Sequence, residues 1–69
     1  MDWIAADSSN IARFKYDAAS QVLAVEFKNG GVYNYFDVPE FVFEEMRSAG
    51  SKGQYLAQRI KGTYRYARA

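Results

Sequence analysis

The chain has 69 residues, a net charge of +1, one Trp, six Tyr and five Phe, but neither cysteine nor histidine. This length suits one small domain, and the aromatic content suits a packed core. Without Cys and His, disulfides, the usual zinc sites and Ser–His or Cys–His nucleophile pairs are excluded. We therefore expect a domain that is not an enzyme and has no cofactor or metal.

The first half of the chain predicts three antiparallel strands in a meander. Residues 11–16 and 21–28 alternate apolar and polar side chains, which is typical of half-buried strands. The Asn-Gly-Gly segment at 29–31 predicts a short hairpin loop, because Asn and Gly accept positive φ. Residues 32–36 then form the third strand.

Tyr33 and Tyr35 share one face of the third strand, and the length of the hairpin loop decides which face that is. A two-residue loop would turn both tyrosines away from Leu23 and Val25. It would also bury Asn34, which costs about 1–3 kcal/mol without a partner. A three-residue loop would place both tyrosines in the core. We favour the three-residue loop, in which they are structural, while the shorter loop would leave them on a surface.

The segment after the third strand predicts a helix that begins near Pro39, because the fixed φ of proline suits a first helical turn. Its cap is either Asp37 or Val38. The predicted buried stripe comprises Val42, Met46 and Ala49, flanked by Phe41 and Phe43.

A second helix is predicted between Gly50 and Gly62. Residues 51–54 (Ser-Lys-Gly-Gln) have the form of a capping box, and Leu56 and Ile60 are spaced to face the core. The tail at 63–68 alternates aromatic and basic residues and is either a short fourth strand or a frayed end. The predicted fold class is therefore α+β, a three-stranded antiparallel β-meander followed by two α-helices packed on one face.

Charge is distributed unevenly along the chain. Residues 1–45 contain all eight acids, whereas residues 46–69 contain none and hold most of the nine Lys and Arg. Two interpretations are open: an anionic partner, or internal pairing with acids such as Glu44 and Glu45. For an RNA partner, the candidate phosphate contacts are Lys52, Arg59, Lys61, Arg65 and Arg68. The candidate stacking residues are Tyr64, Tyr66, Tyr33 and Tyr35.

An ordered set of short motifs spans about residues 8 to 66. The set includes Ser8-Ser9-Asn10-Ile11, Tyr16-Asp17, Gly31-x-Tyr33-x-Tyr35, Val38-Pro39 and Ser51-x-Gly53. It resembles the KTSC domain, a family named for a segment at the C-terminus of some lysyl-tRNA synthetases and also found as small bacterial proteins. The resemblance implies one domain over residues 1–69 with its core at 8–66, and RNA binding has been suggested for the family. Leu56 and Ala57 depart from the aromatic–Asn pair that relatives often carry there.

Two functional hypotheses follow. The first is weak binding of RNA through the basic, tyrosine-containing C-terminal region. The second is a protein-interaction or accessory module, either monomeric or weakly self-associating, because the edges of a small sheet invite pairing. The sequence shows no signal peptide and no apolar run of the ~20 residues that a membrane span needs. We therefore expect a cytoplasmic protein with no membrane contact.

Overall fold

An antiparallel sheet of five strands forms one layer of the fold, and two helices form the other. The structure is a computed structural model that describes residues 2–69. The strands are β1 (Ile4–Ala5), β2 (Ile11–Asp17), β3 (Val22–Phe27), β4 (Val32–Tyr35) and β5 (Tyr66–Arg68). The helices are α1 (Glu40–Ser48) and α2 (Lys52–Tyr55), and α2 continues into a π-helical turn (Leu56–Ile60).

The strands lie side by side in chain order, from β1 to β5. The α+β class is confirmed, but three strands understate the sheet. The three predicted strands are β2, β3 and β4, and the C-terminal tail forms β5 against β4. Strand β1 was missed because two residues are too short to show a period-2 pattern.

A three-residue loop closes the hairpin between β3 and β4. The amide of Phe27 donates to the carbonyl of Gly31 at 2.8 Å, and the amide of Gly30 donates to the carbonyl of Phe27 at 2.9 Å. Gly30 has a φ of +99°, a conformation that glycine adopts without steric cost. The loop length that we favoured is therefore confirmed.

This loop sets the register that directs both tyrosines of β4 inward. Val25 pairs with Tyr33, and Leu23 pairs with Tyr35. Tyr35 is 2% exposed, whereas Tyr33 is only half-buried. The inner face of the sheet therefore extends from the core at Tyr35 toward solvent at Tyr33.

A bulge at the start of β2 breaks its alternation. Ile11 pairs with Phe27 while Arg13 pairs with Glu26, so one extra residue lies between the two pairs. Ile11 is consequently fully buried, although strict alternation places it on the same face as the exposed Arg13.

Helix α1 begins differently from the prediction. Its N-cap is Pro39, whose backbone is extended and which offers no side-chain cap. Asp37 cannot cap it, because its φ of 57° turns the chain and its carboxylate accepts a hydrogen bond from Arg65 at 3.3 Å. Val38 is buried, and its amide donates to the carbonyl of Gln21 at 3.0 Å. The expectation of Asp37 or Val38 as the cap was wrong.

Helix α2 begins as the capping box predicts, since the amide of Gln54 donates to Oγ of Ser51 at 3.3 Å. Its end widens into the π-helical turn, where the amide of Lys61 donates to the carbonyl of Leu56 at 2.8 Å. Leu56 and Ile60 are buried as predicted.

Both helices pack on the inner face of the sheet around one core. The ring of Tyr16 stacks on that of Phe43 with centroids 5.0 Å apart, and Phe14 meets Phe43 edge-on at 5.9 Å. The core comprises Ala6, Ile11, Phe14, Tyr16, Leu23, Val25, Tyr35, Val38, Val42, Phe43, Met46, Leu56 and Ile60. Within the predicted stripe of α1, Val42 and Met46 are buried and Ala49 is half-buried.

Candidate functional site

A cleft of about 680 Å³ opens on the inner face of the sheet, beside the end of the π-helical turn. It is lined by Phe27, Asn29, Tyr33, Tyr35, Lys61, Gly62 and Tyr66. Strands β3 to β5 supply its aromatic wall, and the chain that leaves the π-helical turn supplies the facing residues. The cleft therefore combines residues from the middle of the sequence with residues from its C-terminal part.

The aromatic wall follows from strand alternation and the pairing of β5. Tyr35 pairs with Tyr66 across the two strands, so the ring of Tyr66 joins the two tyrosines of β4 on one face. The centroid of Tyr66 lies 5.6 Å from that of Tyr33 and 5.7 Å from that of Tyr35. Phe27 extends the wall, with its ring edge-on to Tyr33 at 5.6 Å.

The three tyrosines differ in exposure. Tyr35 forms the buried floor, where burial raises the pKa of its hydroxyl. Tyr66 is 60% exposed at the rim, and Tyr33 lies between them in exposure. Facing the core and lining the cleft are therefore not alternatives. Tyr35 belongs to the core, Tyr33 packs against it, and both line the cleft.

The polar side of the cleft is positive. Lys61 lines it, and the guanidinium of Arg68 lies 6.0 Å from the centroid of Tyr33 at its edge. No Asp or Glu is among the lining residues. The site therefore favours an anionic ligand with a flat aromatic part.

A shallower depression of about 580 Å³ adjoins the cleft and shares Tyr66 and Gly62 with it. Its other lining residues are Phe36, Thr63, Tyr64, Arg65 and Ala67. Arg65 lies 5.6 Å from the ring of Phe36 and pairs with Asp37 at 3.3 Å. An acid thus partly matches the charge of this cation, and the depression is less positive than the cleft.

Three of the candidate phosphate contacts, Lys52, Arg59 and Arg68, line neither depression, although Arg68 lies beside the cleft. Lys52 donates to the carbonyl of Ala49 at 3.5 Å, at the end of α1, and Arg59 is exposed on the π-helical turn. Arg47, which also belongs to the basic third of the chain, pairs with Glu44 at 2.6 Å. The structure therefore brings together Lys61, Tyr33, Tyr35 and Tyr66, with Arg68 beside them and Tyr64 and Arg65 in the adjoining depression.

Sequence reasoning missed three lining residues, Phe27, Asn29 and Gly62. In the sequence, Asn29 indicates only a hairpin loop and Gly62 only the end of a helix. The amide of Gly31 donates to Oδ1 of Asn29 at 3.0 Å, which holds the side chain at the cleft. The available sequence signal was that Asn29 is a polar residue in the loop next to the tyrosine-containing strand, and binding residues often lie on such loops.

Residues 2–69 contain no cluster of acidic side chains able to hold a metal ion. None of its helices has the length and apolar character that crossing a membrane requires.

Comparison with known proteins places the chain in a family. Residues 7–64 match the family described as KTSC domain. The lysine–tRNA ligase of Trichormus variabilis is 45% identical over 60 residues, which cover 87% of this chain but 11% of the ligase. The chain thus spans about a tenth of the length of such relatives. An uncharacterized protein of Stutzerimonas stutzeri is 38% identical over 69 residues, covering 99% of this chain and 97% of that protein.

A solved structure shares the whole fold. The crystal structure of a KTSC domain protein from Yersinia pestis superposes with a TM-score of 0.95 at 31% sequence identity. The superposition covers 99% of this chain and 96% of that one. Since the family match covers most of the sequence and the fold agrees, the chain belongs to the KTSC domain family.

Proposed function

We propose that this domain binds single-stranded RNA weakly, through the cleft bounded by Tyr33, Tyr66 and Lys61. The observation that carries the proposal is the composition of that cleft. Its wall is aromatic, its charged group is a cation, and no carboxylate lines it. Proteins that bind single strands combine these two features, because bases stack on rings while cations track the backbone.

The expected energies indicate modest affinity. Each base stacked on an aromatic side chain contributes ~1–3 kcal/mol, and Lys61 and Arg68 would each neutralise a phosphate. So few contacts correspond to dissociation constants in the micromolar range or weaker.

Kinship supports the same class of ligand. Relatives of this chain are named lysine–tRNA ligases, and tRNA is the RNA in that name. The segment of those ligases that resembles this chain is thus part of proteins that are named for tRNA. This is support from context, whereas the cleft supplies a physical means of binding.

The test is a titration of labelled single-stranded RNA at low salt. Lys61→Ala and Tyr66→Ala should each weaken binding several-fold. Lys52→Ala removes the same charge outside the cleft, and Phe41→Ala removes a ring that is 63% exposed against 60% for Tyr66. Both controls should bind like the parent protein. No binding at ~1 mM protein rejects the proposal, and equal loss in Lys52→Ala and Lys61→Ala rejects the cleft.

A second candidate function is protein interaction through the sheet edges. Strands β1 and β5 are the two edges of the sheet, and each leaves one side without a strand partner. Exposed edges can pair with other strands, and the short lengths of β1 (two residues) and β5 (three residues) limit the strength expected of such pairing. Light scattering over a range of concentrations tests self-association, and a mass that stays at 7.9 kDa removes that form of the hypothesis.

A further inference from the structure

Asn29 has a fixed amide orientation at the cleft. The amide of Gly31 donates to its side chain at 3.0 Å, so the atom that faces the loop is the oxygen, since an amide nitrogen cannot accept. The NH₂ group of Asn29 is therefore the part left to face other partners. None of the side-chain hydrogen bonds found within residues 2–69 is donated by this group.

The polar groups of the cleft are mainly donors. Asn29 offers an NH₂ group and Lys61 an ammonium, while the tyrosine hydroxyls can donate or accept. No acceptor-only carboxylate lines the cleft. A matching ligand therefore presents acceptor atoms together with negative charge.

The size of the cleft limits how much ligand it holds. About 680 Å³ lies within the ~300–1,000 Å³ typical of small-molecule sites. The centroid of Tyr66 lies 5.6 Å from that of Tyr33 and 5.7 Å from that of Tyr35, and its plane is tilted by 49° and 38° to theirs, so the three rings form one short, angled platform instead of a row of parallel stacking sites. A single base fits this platform better than a run of bases.

From these features we infer that the cleft holds one nucleotide unit. Its base stacks on the exposed ring of Tyr66 with one edge against the tilted ring of Tyr33, its phosphate meets Lys61, and the NH₂ group of Asn29 donates to an acceptor on the base edge. This inference rests on the proposed function and names the unit of RNA that is recognised. Asn29 is then a specificity-determining residue, since its donor meets the base and not the phosphate.

The first experiment compares uridine monophosphate with uridine by NMR chemical-shift titration of the folded domain. The monophosphate should shift the signals of cleft residues and bind about tenfold more tightly than the nucleoside, because Lys61 pairs with its phosphate. Lys61→Ala should remove that difference, whereas Lys52→Ala should keep it. Inorganic phosphate alone should bind more weakly than the monophosphate, because it has no base.

The second experiment uses Asn29→Asp. The carboxylate can still accept from the amide of Gly31, so the loop is kept, but the donor becomes an acceptor. The test ligand is uridine, because it is neutral and the new carboxylate does not repel it. Its binding to Asn29→Asp should be several-fold weaker than to the parent protein. Unchanged uridine binding in Asn29→Asp overturns the role of Asn29.

The outcomes separate this inference from the proposed function. If RNA binds, but saturating monophosphate neither competes with it nor shifts the NMR signals of cleft residues, the inference of a single-nucleotide site is wrong and the proposal of RNA binding stands. If the monophosphate binds while RNA does not, the nucleotide site stands and RNA binding falls. If neither binds, both are overturned.

Discussion

The hydroxyl of Tyr16 in β2 donates a 2.6 Å hydrogen bond to the carbonyl of Val38, the residue before Pro39. Both residues are buried, and burial raises the pKa of the Tyr16 hydroxyl. The bond connects the sheet to the segment that leads into α1. A polar pair inside the core thereby fixes where the helical layer begins.

Tyr16→Phe should lower the free energy of unfolding by about 1–3 kcal/mol, because it leaves the buried carbonyl of Val38 without a donor. Urea unfolding followed by circular dichroism measures this. Tyr66→Phe is the control, since its ring is 60% exposed and a surface change should stay within about 0.5 kcal/mol. Equal stability of the two variants would contradict the role of the bond.

Two phenylalanines of α1 should differ sharply in their contribution to stability. Phe43 is 2% exposed and packs against Phe14 and Tyr16, whereas Phe41 is 63% exposed. Phe43→Ala should cost about 3–5 kcal/mol, which would unfold a marginal domain, and Phe41→Ala should cost less than about 0.5 kcal/mol. Thermal melts of both variants check this, and similar melting temperatures would refute the assigned orientation of α1.

Gly53 lies where α2 meets the loop before β2. A Cβ atom there would overlap Oδ1 of Asn10 and come within 3.3 Å of Oγ of Ser8. Gly53→Ala should therefore destabilise the fold by about 1–3 kcal/mol. Gly50→Ala is the matched control, because nothing lies within 4 Å of a Cβ atom at that position.

A double variant tests the cause of this effect. Asn10→Ala removes the nearest atoms that the new methyl group would meet and leaves only Oγ of Ser8 at 3.3 Å. The cost of Gly53→Ala should then be smaller in the Asn10→Ala background than in the parent protein. Strict additivity of the two changes would show that the contact is not the cause.

A hydrogen bond between Tyr55 and Glu45 links the two helices, and its contribution to stability should fall at alkaline pH. The Tyr55 hydroxyl donates to the Glu45 carboxylate at 2.6 Å. Burial, followed by this hydrogen bond, raises the pKa of Tyr55 from 10.0 to about 12. The folded state therefore holds the proton more tightly than the unfolded state. The stabilisation is complete below pH ~10 and is lost as the pH rises toward ~12.

Tyr55→Phe removes both this hydrogen bond and the titratable hydroxyl. At neutral pH the variant should be less stable by about 1 kcal/mol. The difference in unfolding free energy between the parent and the variant should shrink between pH ~10 and ~12. Urea titrations across that range measure it, and taking the difference cancels the titration of Tyr16 and Tyr35. A difference that does not change with pH would show that Tyr55 carries no such linkage.

The meander of β2, β3 and β4 was predictable because local patterns determine it. Alternating side chains identify the strands, and the Asn-Gly-Gly segment identifies the hairpin between β3 and β4. The cap of α1 was not predictable, because the chain before the helix is held by partners distant in the sequence: the amide of Val38 donates to the carbonyl of Gln21, and its carbonyl accepts from Tyr16. The π-helical turn was also missed, since Leu56 and Ile60 have the same spacing in a regular helix.

The candidate site was predictable only in part. The aromatic and basic character of the tail drew attention to Tyr66 and Lys61. Tyr66 and Lys61 lie near Tyr33 only because β4 pairs with β5. In the sequence these two strands are separated by both helices. No local pattern predicts that pairing, and without it Asn29 is only a loop residue.

The sequence by itself determined that β2 to β4 are strands, that two helices follow them, and that Val42, Met46, Leu56 and Ile60 enter the core, because period and turn chemistry are local properties. It also determined that the C-terminal third is basic. Only the tertiary structure decided which of those cations lie beside aromatic rings. That choice depends on contacts between residues far apart in the chain, where β5 closes against β4 and carries Tyr66 to the open end of the core.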